Sequence, residues 1–558
     1  MRTARRITAI LIAALLTASL SFAESEENGR AASNPLPRDF EPMPDRWRIK
    51  PPPYELNAEG HWWNPYNQNL LKGDYPILGQ DIFLKLTGIS RTSVEGRALP
   101  TASGVSTVNP GEFTFFGSPD SVLLDQKWGA QVEVMKGSTS FRPFDWRFVV
   151  LGVVDLNYLG VYENGVAFPN VVDGTSRLTD DAALQQAALE VHLADLSANY
   201  DSLSLEVGRQ PFNSDFRALI FFDTNQGARL FGSANSNRYQ YNLLYFYMAE
   251  TDTNSDLNTF DLRNQQIAVA NLYVQDFFFP GWQNQFNLLY DFDDGEKAGL
   301  VFDDQGFLVR PDPVGAATPH NVSAFFLGWT SEGHIGPINV SHAFYQAVGH
   351  DTLNPIAGRA VDINAQLAFL ELSIDRDWMR YIASVFYTSG DGNPRDDEAH
   401  GFDTVFDEPQ IMGGSIGFWN RQSVRITDRG GVALMQRKSV VPDLRSSKTQ
   451  GQANFVNPGI LMLNLGATAD LTPTLRAVGN AIYLRFNQTA PLEVLLKQPD
   501  IASNIGLDFS IGLEYRPLLN NNILIKGFGA VFQPLDGFRD IYQSQTLFQV
   551  GTEVLLVF

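Results

Sequence analysis

Runs of about ten residues that alternate apolar and polar, joined by connections that are by turns long and short, constrain this chain more than any other feature. "WQNQFNLLYDF" (282–292) sets Trp282, Phe286, Leu288, Tyr290 and Phe292 on one face and Gln283, Gln285, Asn287 and Asp291 on the other. "RYQYNLLYFY" (238–247) and "IGLDFSIGLEYR" (505–516) repeat the pattern, and a period of two is the signature of a strand. A soluble sandwich also alternates, so the period alone leaves open which face is wet. The connections decide. About eighteen segments begin near 80, 128, 146, 183, 200, 226, 238, 264, 282, 321, 336, 361, 379, 459, 474, 505, 521 and 545. Long stretches between them, such as 89–127, 158–182, 211–225, 293–320, 348–360 and 390–458, take turns with short ones such as "SANSN" (233–237), "DRDW" (375–378) and "LLNNN" (518–522). A sandwich has no use for that asymmetry, whereas an outer-membrane barrel has short periplasmic turns and long external loops. The expected fold is all-β: a transmembrane antiparallel β-barrel of about 18 strands (16–20) over residues 79–558. It belongs in the outer membrane of a Gram-negative bacterium, facing lipid and lipopolysaccharide, with both termini periplasmic.

The two ends fit. "QSQTLFQVGTEVLLVF" (543–558) carries Phe548, Val550, Val554, Leu556 and Phe558 on one face, with Gln549, Gly551 and Glu553 on the other. A terminal strand needs a neighbour for its edge, and the first strand near 80–90 would supply one by closing the barrel. Ends of this kind resemble those of outer-membrane proteins generally, where the last strand, here ending at Phe558, is the signal for the barrel-assembly machinery. At the other end Arg2, Arg5 and Arg6 precede an apolar run from Ile7 to Leu20 and the small-x-small site "SFA", so residues 1–23 read as a secretory signal peptide. Residues 24–78 are dense in proline, with Trp47, Trp62 and Trp63 among them, which disfavours helix and central strand alike. They are expected to form an extended periplasmic segment, a plug, or a docking strip for a periplasmic protein.

Composition excludes several functions. The chain has no cysteine, which removes thiolate metal sites, cysteine nucleophiles and lipoprotein anchoring together. Lys and Arg number 41 against 62 Asp and Glu, a formal charge of −21, so nucleic acid is not an expected partner. Neither G-x-S-x-G nor H-E-x-x-H occurs, and Glu190 and His192 share a face with no serine evidently placed to join them, so no enzyme is expected.

Giving the apolar face to lipid turns Glu133, Asp155, Glu190, Glu206, Asp291, Asp362, Asp508, Glu514 and Glu553 into the lumen, against the fewer bases Arg147, Arg380, Arg516 and Lys526. Asn242, Gln285, Asn364 and Gln366 add a hydrogen-bonding wall. Rings of carboxylates favour cations, and barrels of 16–18 strands leave an aqueous channel. The expected function is passive diffusion of small hydrophilic solutes with a cation preference; the alternatives are a sheath for a periplasmic partner or cytochrome, and an interior whose charges merely pair. Strict alternation aims Arg209 and His342 at lipid, unless a bulge at Gly208 turns Arg209 inward. In the loop "SGDGNPRDDEAHGFDTVFDEP" (389–409), Asp391, Asn393, Asp396 and Asp397 offer oxygen ligands for calcium, without the closing glutamate of an EF-hand; a solvated acidic loop is the alternative.

"LEVGRQPF" (205–212) followed by "TNQGARLFG" (224–232), and "YTSGDGNPRDD" (387–397) followed by "FDTVF" (402–406), resemble segments of the alginate-export family of outer-membrane barrels. The resemblance implies an eighteen-stranded monomeric barrel that exports a polysaccharide or passes hydrophilic substrate, with Arg209, Arg229 and Asp391 in pore or loop roles. An acid-rich lumen departs from that family's arginine-lined conduit, which separates the fold implied from the substrate implied.

Overall fold

The alternation is realised as a ring of strands, each antiparallel to the next. The computed structural model describes residues 70–100, 117–137, 143–199, 201–426, 431–542 and 545–558. The signal-peptide reading, Trp47, Trp62 and Trp63 lie outside the described residues. The ring consists of β1 (Ile82–Ala98), β2 (Gly117–Lys136), β3 (Trp146–Glu163), β4 (Ser176–Asp195), β5 (Ser202–Asn213) and β6 (Phe222–Ala234). It continues through β7 (Tyr239–Thr251), β8 (Asn258–Gln275), β9 (Gln283–Asp294), β10 (Asn321–Ile335), β11 (Ile338–Asn354) and β12 (Arg359–Arg376). It ends with β13 (Met379–Thr388), β14 (Ile460–Thr472), β15 (Leu475–Phe486), β16 (Asn504–Tyr515), β17 (Ile523–Pro534) and β18 (Leu547–Val557). β18 pairs back onto β1 from Ile89↔Val557 to Arg97↔Gln549. Beyond the ladder, the amide of Phe558 donates to the carbonyl of Gly88 at 2.9 Å, and the carbonyl of Phe558 accepts from the amide of Gly88. The terminal strand therefore has its neighbour and the barrel has no open edge. A short strand, Lys72–Leu78, pairs with the start of β1.

Short turns gather at one rim and long loops at the other. Asn235, Ser236 and Asn237 all take positive φ in the β6–β7 turn, a conformation that Asn tolerates better than most residues. β2 and β4 begin at 117 and 176 rather than near 128 and 183, because both continue past the lipid-type zone as polar hairpin arms on the long-loop side. Across the exterior, Leu243, Leu288, Leu327, Phe344, Phe509, Ile511 and Val550 stand exposed, an apolar surface suited to acyl chains. Aromatic side chains mark its edges: Phe277, Phe278, Trp378 and Tyr381 toward the short turns, Tyr158, Tyr162, Tyr245 and Phe260 toward the long loops. No helix among the described residues is long and apolar enough to cross a membrane; this chain is a transmembrane-type β-barrel that crosses with strands.

Inside, the barrel is wet on one side and dry on the other. From β7 to β17 the inward faces carry Phe246, Ile267, Leu289, Phe326, Tyr345, Ile363, Phe386, Met462, Leu484 and Phe532, packed against Phe221, Phe402, Phe406, Phe418, Trp419 and Phe455 of infolded loops. Each fully buried Phe contributes about 1.5–3 kcal/mol, so the fill is held as a core is held. From β1 to β6 the inward faces are mixed: Lys85, Arg91, Lys127, Arg147 and Arg229 reach water, while β3 turns Val149, Leu159 and Val161 inward and β5 buries Ser204, Glu206 and Gln210. This asymmetry corrects one expected lumen residue. Val361, Ile363 and Leu367 point in, against the loop fill, so Asp362 points out, 2.9 Å from the imidazole of His350. Asn364 and Gln366 share that outward face, where both bond to Gln346. The assumption that every apolar face touches lipid fails wherever a loop folds inward.

Candidate functional site

A polar belt lies on the lumen wall a few residues in from the short-turn rim, on β2 to β8 and again on β16 and β17. On β2 to β6 it is ionic. Arg147 lies 3.3 Å from Glu133, 3.1 Å from Glu190 and 3.6 Å from Glu206, and Glu206 lies 3.7 Å from Arg229. Arg229 then donates to Asn242 at 2.7 Å, and Asn242 to Asn271 at 2.8 Å. On β16 and β17 the belt resumes with Glu514, 3.2 Å from Arg516 and 3.6 Å from Lys526. Higher on the wet side Lys127 bridges Asp125 and Asp155 at 2.9 and 2.8 Å.

In most of these pairs the base is the more exposed partner; Lys127 and Asp125 are even, at 21% and 22%. Side-chain exposure is 48% for Lys85 against 7% for its partner Glu133, and 47% for Arg91 against 14% for Glu553. It is 21% for Lys127 against 0% for Asp155, and 25% for both Arg147 and Arg229 against 5% for Glu206. Carboxylates line the wall as expected, yet they lie behind the cations that neutralise them. Long stems let Lys and Arg cover the shorter acids and keep their own heads in solvent.

The β13–β14 connection, 389–459, supplies most of the fill. Asp508 points inward and accepts the amide of Trp419 at 2.9 Å, holding the one-turn helix Phe418–Arg421 to the wall. Asp291 is likewise inward but covered, bound to Gln265 at 2.8 Å. Within the loop, Arg445 makes two contacts of 2.7 Å to Asp403 and one of 3.7 Å to Asp443. Burial and the neighbouring Asp403 push the Asp443 carboxyl up to about 8, so near neutral pH it keeps its proton while Asp403 faces the guanidinium. The β5–β6 loop crosses the lumen too: Arg217 reaches Glu332 at 3.0 Å and Glu371 at 3.2 Å on the far wall.

Arg209 is not pore lining. Its guanidinium donates to the carbonyls of Leu184, Asn258 and Thr259 and lies over the ring of Phe260, leaving 5% of the residue exposed. Gly208 does take positive φ, but its pairings with Ala188 and Gly227 run unbroken; the irregularities lie at Leu151/Gly152 between β3 and β4 and at His192/Ala194 between β4 and β5. His342 sits on the outward face, edge-on to Trp329 at 4.5 Å. In the loop proposed for calcium, Asp391 accepts the amide of Asn393, whose side chain donates to Asp396. Among the described residues no three His, Asp or Glu are gathered as a metal would need. His192 pairs with Asp195 at 3.0 Å. Sequence reasoning missed Glu95, Arg217, Arg421 and Arg445, whose partners are set by how long loops fold inward. No period or motif signals that.

No family model and no curated protein matches the chain, so the alginate-export resemblance gains nothing from those comparisons. Among solved structures it is similar to OccK9 (OpdG) of Pseudomonas aeruginosa, at 10% identity and a TM-score of 0.47, covering 85% of this chain and 98% of that one. OccAB1 of Acinetobacter baumannii matches at 8% identity and a TM-score of 0.47, over 85% and 96%. The outer membrane protein opdK of Pseudomonas aeruginosa matches at 12% identity and 0.44, over 85% and 98%.

Proposed function

We propose that this protein is an outer-membrane channel that passes small hydrophilic solutes by diffusion, with its short turns and both ends in the periplasm. The observation that carries the reading is the division of the lumen: a side on β1–β6 where Lys85, Arg91, Lys127, Arg147 and Arg229 reach water, beside a half filled by the chain's own loops. That fill occupies space a sheathed partner would need, which favours a channel over a sheath. The sign of selectivity follows the partner that faces water in each ion pair, not the number of carboxylates. Lys85, Arg91, Lys127, Arg147 and Arg229 are those partners, so the cation preference expected from the acid count gives way to an anion preference. The same basic wall would suit export of an acidic polysaccharide, the reading that the family resemblance implies.

Reversal potentials across a planar bilayer in asymmetric KCl test the sign: the purified protein should favour chloride, and Lys85→Glu with Arg91→Glu should move the potential toward potassium. A cation preference in the unaltered protein would overturn the sign, and no steady current would overturn the channel. Block of that current by acidic oligosaccharides longer than the passage would favour export.

A further inference from the structure

The infolded loop meets water along a narrow edge. In the segment 411–426, Ser415 is exposed and Gly413, Gly414 and Ile416 are half-buried, while Phe418 to Gln422 behind them are buried. Two bonds tie that edge back. The guanidinium of Arg421 donates to the carbonyl of Ser415 at 3.2 Å, and the side-chain amide of Gln549 donates to the carbonyl of Ile416 at 2.9 Å. Arg421 is in turn gripped by the wall: Nε to Glu95 at 2.6 Å, a terminal nitrogen to Glu553 at 2.9 Å, and the face of Phe528 at 4.1 Å. Gln422 spends its whole amide there. It donates to Glu95 and to Gln549 at 2.6 Å each, and its oxygen accepts from Arg97 at 3.0 Å.

Glu95 and Arg97 belong to β1, Gln549 and Glu553 to β18, so these contacts straddle the seam where the barrel closes. The seam is also the border between the filled and the wet halves. We propose that Arg421 and Gln422 are the positioning residues of the passage: they fasten the loop to the closure seam from inside and so set how far the edge at Ser415 stands into the water. The assignment rests on the channel reading. An arginine suits the post because one planar fork reaches Glu95, Glu553 and the Ser415 carbonyl while its face lies on the Phe528 ring, a combination that a compact ammonium does not span.

The test uses the full chain in planar bilayers, with single-channel conductance and exclusion of neutral polyethylene glycols of graded size. Arg421→Ala, checked as folded by its heat-dependent shift on SDS gels, should raise conductance and admit larger polymers; Arg421→Lys should fall between. The chain has no cysteine, so Gln422→Cys with Gln549→Cys can be bridged by a short bis-maleimide. The bridge should restore the original conductance to the Arg421→Ala background. A folded Arg421→Ala with unchanged conductance and cut-off overturns the assignment. Should that variant not fold, failure of the cysteine pair to bridge in the otherwise unaltered chain overturns it instead. Absence of current from the unaltered protein defeats the channel reading alone, because bridging reports loop docking without it.

Discussion

Arg445 offers a sharp comparison between two carboxylates. It is 2% exposed, Asp403 is 1% exposed, and two contacts of 2.7 Å join them. Asp443 approaches at 3.7 Å and holds its proton near neutral pH. Asp403→Asn removes the charge that balances a fully buried guanidinium, which costs about 3–5 kcal/mol when one partner of such a pair is lost. At about 1.4 kcal/mol per factor of ten, local opening of the loop should become roughly a hundredfold to several thousandfold more frequent. Asp443→Asn replaces a protonated acid by its near-isostere and should cost little. Hydrogen exchange of loop peptides covering 401–407 and 443–456, measured on the protein in detergent, separates the two. The wild-type loop should also show a pH slope. Asp443 is raised from about 3.9 in an unfolded chain to about 8 in the closed loop. Its proton favours the closed form fully below about pH 4; that stability is lost by about 1.4 kcal/mol per unit as pH rises toward 8, then flattens. Asp443→Asn should reduce the slope, the remainder coming from Asp403 and Asp312, whose carboxyls burial also raises. Equal loss of protection in the two variants, or an unchanged slope, would refute the assignment of proton and charge.

Two shorter tests follow from the ends of the chain and from the acidic loop. Deleting Phe558 removes its paired backbone bonds to Gly88 and should lower the yield of heat-modifiable folded barrel, as read on SDS gels; an unchanged yield would show that the seam closes without it. Adding EGTA should leave conductance unaltered, because no three carboxylates are gathered in that loop among the described residues, whereas a shift on chelation would support calcium there.

The barrel was legible because a strand's period and its connection length are local properties. Segments such as 282–292 and 505–516 show their two faces outright, and most strand starts fall within a few residues of where the pattern puts them. The same alternation places Glu133, Glu190, Glu206 and Glu553 on the face opposite the exposed apolar series of their strands. Asp362 was misplaced because Val361 and Ile363 answer to Phe402 and its neighbours in a loop far along the chain, a contact with no local signature. Selectivity is less legible for a related reason. Counting acids gives the formal charge of a wall, but which member of an ion pair meets solvent depends on stem length and on what packs behind it, as Lys127 and Asp155 show.

On the channel reading, a tube this wide that keeps half of its bore filled with its own polypeptide separates two properties that simpler pores combine. Its circumference is dictated by the bulk it must house, its aperture by where a few loop atoms come to rest. Changing what gets through would therefore ask for edits along a short edge of one loop, while the stave count and the outer skin stay as they are.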